Sequence, residues 1–285
     1  MKKILLPTDF SANSWEATRY ALNLFKNEPC TFYIMHSLEP LVSAPSSVSS
    51  RRANEAILNS RNNESKMELE KELQKIQELP KNSNHAFETL LVHDYFLDAV
   101  TSTVKKLGID IVILGTKGAS GIKEMTIGSN TANLINKQSC PIIAVPQNAL
   151  SSMDLSEIGF ATDLSIENYG DDLDLLKEIA LAHNAIISAV HITNKSTNLS
   201  PDLLANKLAL EMTLKPIKMD FYLINDVPVE VGTRVFSESR KLGMLCIINK
   251  KRSFFEKLFN RSNSKSISSH LNVPLIVFNH EVYNI

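Results

Sequence analysis

Ile109-Asp110-Ile111-Val112-Ile113-Leu114-Gly115-Thr116-Lys117-Gly118 is an apolar run that passes straight into a pair of glycines. Nine residues later comes Gly128-Ser129-Asn130-Thr131. A short, nearly unbroken apolar run suits a strand buried on both faces of a parallel sheet. Glycines let a backbone approach a ligand closely or adopt positive φ. Ser129 stands where a helical pattern over residues 129–136 begins. A helix start offers free N–H groups and the positive end of its dipole to an anion. The hydroxyls of Ser129 and Thr131 add two further donors. This arrangement suits a di- or triphosphate. It is neither a P-loop, since no Gly-Lys-Ser/Thr follows, nor a dinucleotide fingerprint.

Similar apolar runs occupy residues 3–6, 31–35, 86–92 and 141–145. Helical periodicity separates them. Residues 11–26 place Trp15, Ala17, Ala21, Leu22 and Phe25 at helical spacing, with Ser11 as the N-cap. Residues 95–107 do the same with Phe96, Ala99, Val100, Val104 and Leu107. Strands alternating with helices predict a doubly wound α/β sheet, with its ligand crevice outside the C-terminal strand ends. Asp9, His36 and Gly115 each follow a strand and should gather there.

The pattern occurs twice. Ile4 to Ser11 recurs as Ile158 to Ser165, including Thr8-Asp9 as Thr162-Asp163. Met35-His36 recurs as Val190-His191, Gly108 to Ile113 as Gly243 to Ile248, and Cys140 to Val145 as Val273 to Phe278. Four blocks in one order predict two tandem domains, residues 1–148 and 153–281. Between the second and third blocks the first half holds about twenty extra residues. They fall in 43–79, where the serine-rich stretch 43–50 reads as a loop and 51–79 as a long, mostly exposed helix. This insertion is either a spacer or, as long inserted loops often are, a lid or partner surface.

The 285 residues are 44% apolar and 21% charged, with a formal net charge of −1, as in an ordinary globular chain without a global pull toward nucleic acid or anionic lipid. Cys30, Cys140 and Cys246 lie far apart without a CxxC pair, so they read as small buried hydrophobes in a reducing compartment. The apolar run after Lys2-Lys3 is too short for a signal peptide, and no stretch is long enough to span a bilayer. A cytoplasmic location is expected.

The glycine spacing, the Ile-Leu-Leu-Pro-Thr-Asp-Phe-Ser block, His36 at the end of the second strand and the Cys-Pro-Ile-Ile-Ala-Val strand together resemble the universal stress protein family over essentially the whole chain. The resemblance implies a five-stranded parallel sheet flanked by helices in each half, the adenine nucleotide alpha hydrolase-like fold. It also implies ATP, or ADP or AMP, as ligand. Pro7, Thr8 and Asp9 would lie at the nucleoside end and Ser37 at the adenine, where the family often has an apolar residue. Gly115, Thr116 and Gly118 would follow the ribose and phosphates. Gly128, Ser129, Asn130 and Thr131 would cradle the phosphates. Asp9 could also help hold magnesium, or simply cap the next helix. His36 and His191 recur in both halves and so read as structural.

The second half has no glycine after Gly243. Asn249-Lys250-Lys251-Arg252 takes the place of the first glycine pair, and Lys250, Lys251, Arg252, Lys257, Arg261 and Lys265 crowd one stretch. The stretch reads as a solvated basic helix face, with an acidic-partner or anion site as the alternative. ATP should therefore bind the first half alone. The leading function is a nucleotide-binding stress-response regulator. The alternatives are a slow ATPase or nucleotide transferase, for which no positioned base stands out, and a partner-binding module. In the last reading, strands 141–145 and 274–278 pair within the chain as a pseudo-dimer, and whole chains could pair further as a homodimer.

Overall fold

The computed structural model describes residues 1–41, 48–116, 128–147, 149–152, 154–196, 198–249 and 272–279. The first half runs β1 (Lys2–Pro7), α1 (Ala12–Leu24), β2 (Cys30–Ser37), α2 (Val48–Gln77), β3 (His85–Val92), α3 (Phe96–Leu107), β4 (Ile111–Gly115), α4 (Ser129–Lys137) and β5 (Ile142–Val145). A 3-10 turn, Ala149–Ser152, leads into β6 (Glu157–Ala161), α5 (Asp174–Ala182), β7 (Ile186–Ile192), α6 (Pro201–Thr213), β8 (Met219–Ile224), α7 (Val229–Arg240), β9 (Met244–Asn249) and β10 (Leu275–Asn279).

The strands form one sheet in the order β3-β2-β1-β4-β5-β10-β9-β6-β7-β8. Each half contributes five parallel strands in the same relative order, the doubly wound pattern read from the sequence. The halves meet where β5 and β10 pair antiparallel, with Leu275 opposite Ala144, Ile276 opposite Ile143 and Val277 opposite Ile142. These six side chains are buried, so the joint removes two unpaired edges from water.

Local chemistry explains the element ends. Ser11 is extended, and its side chain accepts from Ser14 N to cap α1. Gly108 ends α3 in the left-handed conformation. The helix of the insertion starts earlier than its sequence suggests. Val48, Ser49 and Ser50, read as loop, belong to α2, while 43–47 lie outside the described residues. With 30 residues against 13 in α6, α2 accounts for most of the extra length. It is anchored by Leu69 and Ile76, buried against Ile34. No helix among the described residues is long and apolar enough to cross a membrane.

Strand register corrects the alignment of the two halves. Ile4 pairs with Ile111, and its counterpart Ile158 pairs with Met244. Asp110 N donates to Lys3 O just as Gly243 N donates to Glu157 O. Ile111 therefore corresponds to Met244, Gly115 to Ile248 and Thr116 to Asn249. The two glycines that suggested the alignment do different work. The counterpart of left-handed Gly108 is Lys241, also at positive φ. Gly243 is needed for space, since a Cβ there would lie 1.8 Å from the Asp154 carbonyl oxygen.

Burial pushes the Cys30 and Cys140 thiols up to about 11, and the fully enclosed Cys246 thiol well above its usual value. All three are therefore protonated and poorly nucleophilic near neutral pH. Gly243→Ala should cost about 1–3 kcal/mol through overpacking against rigid backbone. Chemical denaturation will show this as a lower midpoint, whereas Gly170→Ala, where no atom lies in the way of a Cβ, pays only for its positive φ.

Candidate functional site

In the first half β1 and β4 are neighbours, and the chain leaves them in opposite directions across the sheet. A crevice opens at such a switch point, outside the carboxyl ends of the two strands. The segment following β1 forms one wall. Pro7 ends the strand and is buried. Thr8 N donates to Met35 O at 2.8 Å, fixing the turn to β2. The Thr8 hydroxyl accepts from Phe10 N at 3.0 Å and donates to Ser14 Oγ at 3.1 Å. Asp9 Oδ1 accepts from Ser11 N at 3.1 Å. Phe10 sits at positive φ, and its ring lies 4.5 Å from that of His36. His36 Nδ1 donates to Thr8 O at 2.8 Å, the structural role read from its recurrence. Ser37, the last residue of β2, is half-buried and pairs with Val92.

The segment following β4 forms the facing wall. Thr116 N donates to Val145 O at 3.0 Å. Gly128 N reaches back to Thr116 O at 2.8 Å, and the Thr131 hydroxyl donates to Gly115 O at 3.2 Å. These bonds clasp the two ends of the glycine loop together. Gly118 and residues 117–127 as a whole lie outside the described residues. The α4 ladder starts with Ala132 N donating to Gly128 O. The N–H groups of Ser129, Asn130 and Thr131 therefore lie ahead of it, at the positive end of the helix. Ser129 and Asn130 are exposed.

Two expectations change. Thr131 is buried and commits its one hydroxyl proton to Gly115 O, so that hydroxyl clasps the loop rather than donating to a phosphate. Neither Gly115 nor Gly128 has positive φ. They serve close approach instead. A Cβ on Gly115 would stand 1.9 Å from Asn13 Nδ2 of α1, and one on Gly128 would stand 3.1 Å from Thr116 O. Asn13 was missed in the sequence. The available signal was an amide in the first turn of α1 at a position that helical spacing turns inward.

The second half repeats one wall and replaces the other. Thr162 Oγ1 accepts from Leu164 N, Asp163 Oδ1 accepts from Ser165 N, and His191 Nδ1 donates to Thr162 O. The Thr-Asp turn is thus built into the fold whether or not glycines face it. Across the crevice, however, buried Ile248 stands for Gly115. Asn249 stands for Thr116 and donates to Asn279 Oδ1 at 3.0 Å. The basic run 250–265 lies outside the described residues.

The sequence model of the universal stress protein family matches residues 1–146, just over half of the chain. The chain belongs to the universal stress protein family. It is 25% identical over 146 residues to universal stress protein MJ0531 of Methanocaldococcus jannaschii, covering 50% of this chain and 81% of that one. It is 29% identical over 158 residues to MJ0577 of the same organism, covering 50% of this chain and 94% of that one. A crystal structure of a universal stress protein from Archaeoglobus fulgidus superposes with a TM-score of 0.63, covering 98% of this chain and 96% of its own at 13% identity. That likeness extends the shared fold to both halves.

Gly115→Ala should destabilise the chain by about 1–3 kcal/mol by overpacking against α1. Adding Asn13→Ala should recover part of the loss and not all, because Asn13 O also lies 3.0 Å from the new Cβ. A double-mutant cycle in thermal or chemical denaturation reads the coupling.

Proposed function

We propose that the first half, residues 1–148, binds one adenine nucleotide, ATP or its products ADP or AMP, and that the chain acts as a stress-response binding protein whose conformation the nucleotide biases. The observation that carries this reading is the open N-terminus of α4. Its leading N–H groups sit beside the Gly115–Thr116 turn at the switch point of a nucleotide-binding type of sheet. Family membership supports it. In this reading Pro7, Thr8 and Asp9 face the nucleoside, Ser37 lines the adenine, and Gly115, Thr116 and Gly118 follow the ribose and phosphates. The Gly128, Ser129 and Asn130 backbone receives the phosphates, and Thr131 holds the loop shut around them. The Asp9 carboxylate is the group that would bear on magnesium.

Residues 153–281 form a degenerate second unit, joined to the first as a pseudo-dimer through β5 and β10. With Ile248 and Asn249 at the positions of Gly115 and Thr116, the second crevice lacks the glycine turn and does not accept a phosphate chain in the same way. Buried, protonated thiols fit a reducing cytoplasm.

Mass analysis of nucleotide released from freshly purified, denatured protein should find about one adenine nucleotide per chain. Two per chain would overturn the asymmetry. None released, with no heat on titration with ATP and magnesium, would overturn the reading altogether. Gly128→Val, which thrusts a branched side chain toward Thr116 O at the cradle, should weaken ATP binding at least tenfold by calorimetry. Asp163→Asn, in the second crevice, should leave the affinity unchanged.

A further inference from the structure

A separate concavity lies at the opposite end of the first half. It is a groove of about 770 Å³ bounded by the last turns of α1 and α2, the chain leading into β3, the first residues of β3 and the 3-10 turn between the halves. Its volume falls within the range of roughly 300–1,000 Å³ typical of small-molecule sites. The floor is apolar, made by Leu22, Ile76, Leu79, Pro80, Phe87 and Leu150. The rim is basic. Arg19, Lys26 and Lys81 line it, and among the described residues no Asp or Glu does. We propose that this groove binds an anionic amphiphile, an unbranched apolar chain ending in a carboxylate or phosphate.

The charge arrangement sets the orientation. Asn82 Nδ2 donates to Lys26 O at 2.6 Å, which brings the Lys81-Asn82 segment against the end of α1. Lys26 and Lys81 therefore enter the rim from adjacent stretches of backbone, and neither has an ion-pair partner among the described residues. Arg19 lies two helical turns away along α1 and is 4.0 Å from Glu16. The anionic head belongs at this end of the groove, where both ammonium groups can reach it. The chain then runs along Leu22, Ile76 and Phe87 toward Leu150. A lysine after a helix end often serves only to complement the dipole. Here that need is already met, because Asn82, His85 and His183 donate to the carbonyls of Lys26, Phe25 and Leu24.

Trp15 is the chain's one tryptophan and packs in the same cluster as Leu22, Ile76 and Phe87, so its emission reports on the groove. Sodium decanoate, kept below its micelle concentration and titrated into the full-length chain, should shift that emission saturably, with one site by calorimetry. The Lys26→Glu/Lys81→Glu variant should bind at least tenfold more weakly with an unchanged melting temperature. Decan-1-ol, the same chain without the charge, should also bind at least tenfold more weakly. ATP affinity should be the same in parent and variant, which separates this site from the nucleotide crevice. The proposal is overturned by the absence of a saturable shift, by a variant that binds decanoate like the parent, or by decanol binding equally well. It is also overturned if the chain co-sediments with phosphatidylglycerol vesicles yet ignores monomeric decanoate, since the basic rim would then serve a membrane surface.

Discussion

The approach of α1 to β4 governs the first half. Asn13 packs so closely over Gly115 that no side chain fits between them. That contact goes with an α1 that begins immediately after its cap, Ser11. It also fixes the position of the Gly115 carbonyl, which the Thr131 hydroxyl then uses to close the glycine loop. In the second half a buried Ile248 holds the corresponding strand position, and α5 does not start until Asp174, well beyond Ser165. A β-branched side chain at a strand end and a helix packed directly over it are alternatives. The two halves have each taken one.

The crevice walls therefore carry different kinds of information. The Thr-Asp turn is an internally satisfied unit, with its hydroxyl and carboxylate bonded to N–H groups two residues ahead in both halves. Its survival in the second half says nothing about a ligand. The wall after β4 is also held by its own bonds, Gly128 N to Thr116 O and the Thr131 hydroxyl to Gly115 O, but these leave the first N–H groups of α4 unused. What those bonds leave over is the exposed start of α4, where the N–H groups of Ser129 and Asn130 precede the helix ladder.

Much of this was legible in the sequence because the strands are buried on both faces. Continuous apolar runs marked them to within a residue or two, and Ser11 announced its cap. Three things were not legible, each for a physical reason. The register between the halves misled because Gly108 and Gly243 look alike in sequence, while one supplies a left-handed cap and the other clearance from Asp154. The direction of the Thr131 hydroxyl depends on how α4 is rotated at its first turn, which residue spacing does not specify. The basic groove draws its walls from α1, α2, β3 and the inter-half turn, so no local pattern contains it.

The second half still bears on the first half's site without sharing its chemistry. α1 is tied across the joint, with Leu24 O accepting from His183 Nε2 at 2.9 Å and Glu16 Oε1 accepting from Leu150 N at 3.0 Å. Lys2, at the start of β1, pairs with Glu178 of α5 at 2.6 Å. α4 is held from behind, where Asn279 Nδ2 donates to the Ile135 and Gln138 carbonyls that its C-terminus leaves unpaired. Asn279 is in turn held by Asn249, the residue at the position of Thr116. The two helices that shape the first crevice, α1 and α4, are thus both braced from the second half. Asn249, at the position of Thr116, acts through Asn279 on the C-terminus of α4, so the strand ends of the second half support the helix whose start faces the first crevice.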